Sequence, residues 1–170
     1  MPVTPLLQLD VDGVLSPDKA WSKPQGYNAF QVWRTELGIT QRKPQRMWLN
    51  KNHGTWLKAL DVDMIWATAW EGAANWEIGP RIGLDPMDHI TFSNRSYLRN
   101  PDGSHWKLDD VMLNADGRPF VWVDDGISGA DTVRVALEYP APALLYRVDP
   151  RWGLTIDDMT SIWQWIDVVS

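Results

Sequence analysis

Five short runs of this chain read as β-strands: LLQLDV at 6–11, DMIWATAW at 63–70, DHITFSN at 88–94, RPFVWVDDG at 118–126 and ALLYRV at 143–148. Most are apolar at consecutive rather than alternate positions, the pattern of strands buried on both faces. Helical stretches separate them. Residues 51–60 predict a short helix with Asn52 as its cap, 71–78 a helix ended by Gly79-Pro80, 108–115 a helix after Lys107, and 128–138 one capped by Ser128. Near the C-terminus Thr155 and Asp158 read as a capping box, followed by an apolar stripe of Met159, Ile162, Trp163, Ile166 and Val169. Alternation of this kind predicts an α/β fold, a parallel sheet with helices on both faces, whose ligands bind beyond the carboxyl ends of the strands.

Acids sit at those ends. Asp10 and Asp12 flank Val11 where the first strand stops, and Asp124-Asp125 close the fourth. Like charges there repel and are costly to desolvate. Parallel strands would bring Asp10, Asp12, Asp124, Asp125 and Thr68, at the end of the second strand, to one edge of the sheet. Lys107 supplies one compensating charge, and a divalent cation would supply two. Mg²⁺ suits a few carboxylates, with water and phosphate oxygens completing its shell. The plainer alternative is that Asp10 caps a turn and Asp124-Asp125 cap the following helix.

LDVDGVL, MIWATAW ending in Thr68, Lys107 before a helix, and FVWVDDG, in this order, resemble the four motifs of the haloacid dehalogenase (HAD) superfamily over residues 6 to about 148. The resemblance implies a Rossmann-like doubly wound parallel sheet, an HAD-like core formed as a single domain over 1–170. It also implies a Mg²⁺-dependent phosphomonoester hydrolase acting through an aspartyl-phosphate. Asp10 would be the nucleophile and Asp12 the general acid and base. Thr68 would bind a phosphoryl oxygen, and Lys107 would neutralise charge. The metal ligands would be Asp10, the Asp12 carbonyl and an acid of the fourth motif, Asp125 being favoured over Asp124. A carboxylate at position 12 is similar to the phosphatase branch of the superfamily.

The substrate is read from the spacing and the charge. Asp12 and Thr68 are 56 positions apart, and Thr68 and Lys107 are 39 apart, which leaves no room for a large cap domain and predicts an open, capless or small-cap site. Residues 18–50 predict a flap with hairpin turns at Gly38 and Pro44. Between Lys19 and Lys58, eight basic residues against Glu36 alone give +7, within a chain of net −6. That stretch also carries Trp21, Tyr27, Phe30, Trp33, Trp48 and Trp56, and cations interleaved with aromatics can follow phosphates and stack bases. The expected partner is therefore a nucleotide or a nucleic-acid end, held by Arg42, Lys43 and Arg46. A small phosphate ester and a non-catalytic nucleic-acid-binding module on the same fold are the alternatives. Glu71 and Asn75 either line the pocket or pair along their helix. His53, His89 and His105 are too scattered for a metal site, although His105 is close to Lys107. There is no Cys, which excludes disulfides and thiolate chemistry. No signal peptide and no membrane-spanning run is apparent, so the expected location is cytoplasmic.

Overall fold

The computed structural model describes residues 3–170. The chain begins with β1 (Leu6–Leu9), followed by the flap strands β2 (Asn28–Val32), β3 (Thr35–Glu36), β4 (Ile39–Thr40) and β5 (Gln45–Leu49). Then come α1 (Asn52–Lys58), β6 (Asp63–Trp66), a 3-10 turn (Glu71–Ala73), α2 (Ala74–Glu77) and α3 (Gly79–Ile82). The remaining elements are α4 (Leu108–Ala115), β7 (Phe120–Asp124), α5 (Gly129–Glu138), β8 (Ala143–Arg147) and α6 (Ile156–Val169). Four strands form one sheet in the order β6-β1-β7-β8, and every neighbouring pair is parallel. The central strand β1 sets Leu9 opposite both Trp66 and Val123.

Successive side chains of a strand point to opposite faces, and both faces are covered. Leu7, Leu9, Val121 and Val123 pack in one core with Leu57, Ile82, Ile162 and Ile166. Leu6, Phe120 and Trp122 pack in a second core with Leu108, Val111 and Val135. The first core is roofed by α1, α3 and α6, the second by α4 and α5. Gln8 points into the second face, where its amide donates to the Val111 carbonyl at 2.9 Å. The α/β reading, with a parallel sheet between helical layers, therefore holds. Among the described residues no helix is long and apolar enough to cross a membrane.

Several local expectations need correction. Residues 88–94 form no strand; they touch the sheet through one bridge, His89 to Trp66. The ladder stops because the next N–H groups are taken by side chains: Phe92 donates to Glu71 Oε1 at 3.2 Å and Ser93 to Asp110 Oδ2 at 2.9 Å. Helix α2 does stop just before Gly79-Pro80, with Glu77 its last residue and Ile78 its C-cap, but a new helix starts there at once. Pro80 lies in the first turn of α3, where a missing N–H costs no helical bond, and α3 itself stops at Gly83, with φ of 80°. Asn52 is the first residue of α1 rather than its cap, and its N–H is received by Asn50 Oδ1 at 3.0 Å. In α6 the capping box is present, but Trp163 is 52% exposed. The buried stripe is centred on Ile162 and Ile166, and Trp163 falls at its edge.

The flap pairs with itself rather than with the main sheet. Strands β2 and β5 run antiparallel with Phe30 opposite Met47, and β3 and β4 close the tip with Glu36 opposite Ile39. Leu37 and Gly38 turn the tip with φ of 47° and 82°, as a tight hairpin turn requires. Pro44 precedes β5 and makes no second turn.

Candidate active site

Parallel pairing of β6, β1 and β7 brings their carboxyl ends to one edge. Asp10 directly follows β1, Asp124 ends β7, and Thr68 lies two residues past β6. Lys107 is the residue before α4. It is almost wholly buried, and its Nζ lies 3.0 Å from Asp10 Oδ2 and 2.7 Å from Asp124 Oδ2. The other oxygens are also held: Val11 N–H donates to Asp10 Oδ1 and Gly126 N–H to Asp124 Oδ1, both at 2.8 Å. The Asp125 carboxylate makes no hydrogen bond or ion pair among the described residues. It lies over Gly13, where a Cβ would stand 2.4 Å from Asp125 Cγ, and Gly13 also has φ of 76°. Glycine is required there on both counts.

One oxygen from each of Asp10, Asp124 and Asp125 lies within 4.8 Å of the others. Three carboxylates face one ammonium. Burial pushes Asp10 well above the usual carboxylate range; Lys107 opposes this, and Asp124 and Asp12 reinforce it. Burial likewise pushes Asp125 up to about 6, with Asp124 and Asp18 adding repulsion. Asp124 resists the same burial because Lys107, His105 and the Gly126 N–H outweigh it, and its carboxyl lies below the ordinary range. Burial also disfavours the Lys107 charge, yet Asp10 and Asp124 together raise its pKa. A converging oxygen set that is short of positive charge, with one acid unpartnered, suits a hard divalent cation.

Asp12 points elsewhere. Its Oδ1 accepts from Arg34 Nη1 and its Oδ2 from Trp70 Nε1, both at 2.9 Å. Arg34 comes from the flap, also donates to Glu36 Oε1 at 2.6 Å, and its guanidinium carbon lies 5.4 Å from the Trp70 ring centroid. The flap is docked in turn, since the Leu37 N–H donates to the Ala69 carbonyl at 2.7 Å. Asp10, Asp12, Asp125, Lys107, Arg34 and Tyr97 border a cavity of about 210 Å³. Thr68 does not line it, although Ala69 does, and Thr68 Oγ1 accepts from the Trp70 N–H at 3.3 Å. His105 lines the same cavity, 3.7 Å from Asp124 Oδ1, and burial lowers its pKa.

The remaining expected residues divide. Arg46 borders a second cavity that shares Asp12, Asp18 and Arg34 with the first. Arg42 and Lys43 are exposed between β4 and β5 and line neither cavity. Glu71 and Asn75 also line neither, and their side chains do not pair with each other. Glu71 receives the Phe92 N–H and Arg95, while Asn75 ties the Trp66 indole to both backbone groups of Met87. Nothing in the sequence marks Arg34 or Trp70. Arg34 is one cation among eight in the basic stretch, and only the path of the flap distinguishes it.

No family model, curated protein or solved structure matches the chain.

Proposed function

We propose that this protein is a cytoplasmic, Mg²⁺-dependent phosphomonoester hydrolase built on a Rossmann-like HAD core, acting through an aspartyl-phosphate. The observation that carries the reading is the meeting of Asp10, Asp124 and Asp125 around buried Lys107 at the carboxyl edge of a parallel sheet. Asp10, Asp124, Asp125 and the Asp12 carbonyl would hold the Mg²⁺, which would offset the charge of the carboxylates and of the phosphoryl group when bound.

An oxygen of Asp10 attacks phosphorus, and the bond from phosphorus to the leaving oxygen breaks. Asp12 gives that oxygen its proton. Water then attacks the phosphorus of the aspartyl-phosphate, Asp12 takes a proton from the water, and the bond to Asp10 breaks, which releases phosphate and restores both acids. Lys107 holds Asp10 in position and offsets negative charge, and Thr68 contributes a hydrogen bond to a phosphoryl oxygen. The flap leaves the site without a large cap, and its cations favour a nucleotide or a nucleic-acid end as substrate. The testing experiment incubates the purified protein and Mg²⁺ with an aryl phosphate, nucleotides, phosphorylated oligonucleotides and sugar phosphates. Phosphate release from at least one class is expected, and none from any of them would remove the proposal.

A further inference from the structure

Asp12 and Arg34 stand between two cavities. One, of about 210 Å³, contains Asp10, Lys107 and Asp125. The other, of about 380 Å³, opens toward the flap and is bordered by Val32, Gln45, Arg46, Met47 and Trp48. The second has the size of pockets that bury a small organic ligand, roughly 300–1,000 Å³. Val32 and Met47 are buried and belong to the first core, so this side of the cavity is apolar and rigid. Trp48 is half-buried, and its indole N–H makes no hydrogen bond among the described residues. Arg46 is exposed, and its side chain has neither an ion pair nor a hydrogen bond among them. This differs from Arg34, which Asp12 and Glu36 already satisfy.

A proton donor must touch the oxygen that leaves. With the phosphoryl group against Asp10 and Lys107, the rest of the substrate has to lie on the other side of Asp12, which is where the second cavity is. We propose that this cavity is the leaving-group site and that the leaving group is a nucleoside carrying a further phosphate. The inference rests on the reading of Asp12 as the proton donor. The base stacks on Trp48, the Gln45 amide meets polar groups of the base or sugar, and Arg46 receives the second phosphate. Asp18 also borders the cavity. It accepts from a sugar hydroxyl and repels an anion, which leaves Arg46, at the exposed side, as the seat for the phosphate. The same chemistry is offered by a free nucleoside bisphosphate and by a terminally phosphorylated polynucleotide, in which the second phosphate is internucleotide.

The test uses the full chain with Mg²⁺. Substrates are an aryl phosphate, nucleoside 3′,5′-bisphosphate, and dinucleotides phosphorylated at the 5′ or the 3′ end. In Trp48→Ala and in Arg46→Ala, the preference for the nucleotide substrates over the aryl phosphate, taken as a ratio of kcat/KM, should fall by about tenfold or more. Trp48→Phe should recover most of it, and the Arg46→Ala effect should shrink as salt rises. A dinucleotide turned over better than the bisphosphate identifies a polynucleotide end; the reverse identifies the free nucleotide. Binding of the bisphosphate is measured separately by calorimetry in Asp10→Asn with and without Trp48→Ala, and should weaken by a similar factor. An unchanged preference together with unchanged binding overturns the inference while leaving the phosphatase reading intact. Absence of turnover by wild type with every ester defeats that reading instead, and binding that depends on Trp48 would still support the subsite.

Discussion

Arg34 of the flap donates to Asp12 Oδ1 at 2.9 Å, so the carboxylate expected to move the proton is oriented by a residue outside the parallel sheet. The indole of Trp70 holds its other oxygen from the loop after β6. The flap is fixed from two further sides, by Leu37 N–H to the Ala69 carbonyl and by Trp33 N–H to Glu77 Oε2 at 3.1 Å. In the proposed mechanism Arg34 would act as a positioning residue for Asp12.

Arg34→Ala should lower kcat by roughly tenfold, a part of the roughly 10²–10⁴-fold that a well-placed acid or base contributes as a whole. The loss should be greatest with leaving groups of high pKa, because these most need the proton. Arg34→Lys should recover little, since a lysine lacks the fork that reaches Asp12 and Glu36 together. The check is a series of aryl phosphates of graded leaving-group pKa. Parallel plots for wild type and variant would show that Arg34 does not act through Asp12.

Mg²⁺ should be needed for turnover, and excess chelator should abolish it. Binding to the folded state alone should also raise the melting temperature, by an amount equivalent to about 2.7 kcal/mol at a hundred times Kd. Thermal unfolding with and without Mg²⁺ checks this. Asp125→Asn should remove most of the increment, because that carboxylate has no partner of its own. A full increment in the variant would exclude Asp125 as a ligand.

Asp10→Asn should reduce kcat at least about a thousandfold, as removal of a nucleophile does. The fold should survive, because Lys107 keeps its contact with Asp124 at 2.7 Å. Asp12→Asn should be severe with alkyl phosphates and milder with nitrophenyl phosphate, which leaves without a proton. Steady-state kinetics with matched circular dichroism tests both. A near-wild-type rate for Asp10→Asn would assign the nucleophile elsewhere.

Gly13→Ala should disturb the site more than its size suggests. The new methyl would lie 2.4 Å from Asp125 Cγ, on a backbone with φ of 76°. The left-handed conformation alone costs about 1–2 kcal/mol for a residue with a Cβ. Weaker Mg²⁺ binding and a lower melting temperature should appear together. Unchanged Mg²⁺ affinity would mean that Asp125 can move aside without consequence.

His53 should make stability fall in acid. It is fully buried, its Nε2 is 2.8 Å from the Leu154 carbonyl, and its Nδ1 has no partner among the described residues. A second proton would have nothing to bond to, and burial pushes the imidazole from 6.5 down to about 4. The unfolded chain takes up a proton as pH falls through 6.5, but the folded chain does not until about 4. The contribution of His53 is therefore complete above pH 6.5 and is lost between 6.5 and 4, by on the order of 3 kcal/mol in total. Urea unfolding of wild type and His53→Gln at pH 7 and pH 4.5 isolates it. A gap between the two proteins that does not change with pH would contradict it.

Short-range patterns carried much of this structure. The apolar runs around Leu7 and Val121 announced buried parallel strands because both faces of β1 and β7 are covered, and the run around Leu144 announced β8, which is half-buried at the sheet edge. Ser128 as a cap, and Thr155 with Asp158 as a capping box, marked helix starts because such contacts close within four residues; the structure adds Asp131 as the partner that completes a box with Ser128. Acids at the ends of β1 and β7 then had to share an edge, since parallel strands end on the same side.

Where a backbone group had two available partners, the local pattern failed. Residues 88–94 look like a strand, but Glu71 and Asp110 capture the N–H groups of Phe92 and Ser93. Gly79-Pro80 marks the end of α2, but the pattern gave no sign that α3 begins at the same dipeptide. Glu71 and Asn75 look like neighbours four apart on one helix, but they fall in a 3-10 turn and in α2, and reach toward the chain around Met87 and Arg95. Arg34 is 22 positions from Asp12 and Trp70 is 58, and no periodicity links them. Their meeting depends on how the flap folds back on itself and docks on the loop after β6. The positions of Asp10, Lys107 and Asp124 could thus be inferred from motif order and strand direction. The setting of Asp12, and the separation of its surroundings into two cavities, came from packing between segments distant in the chain.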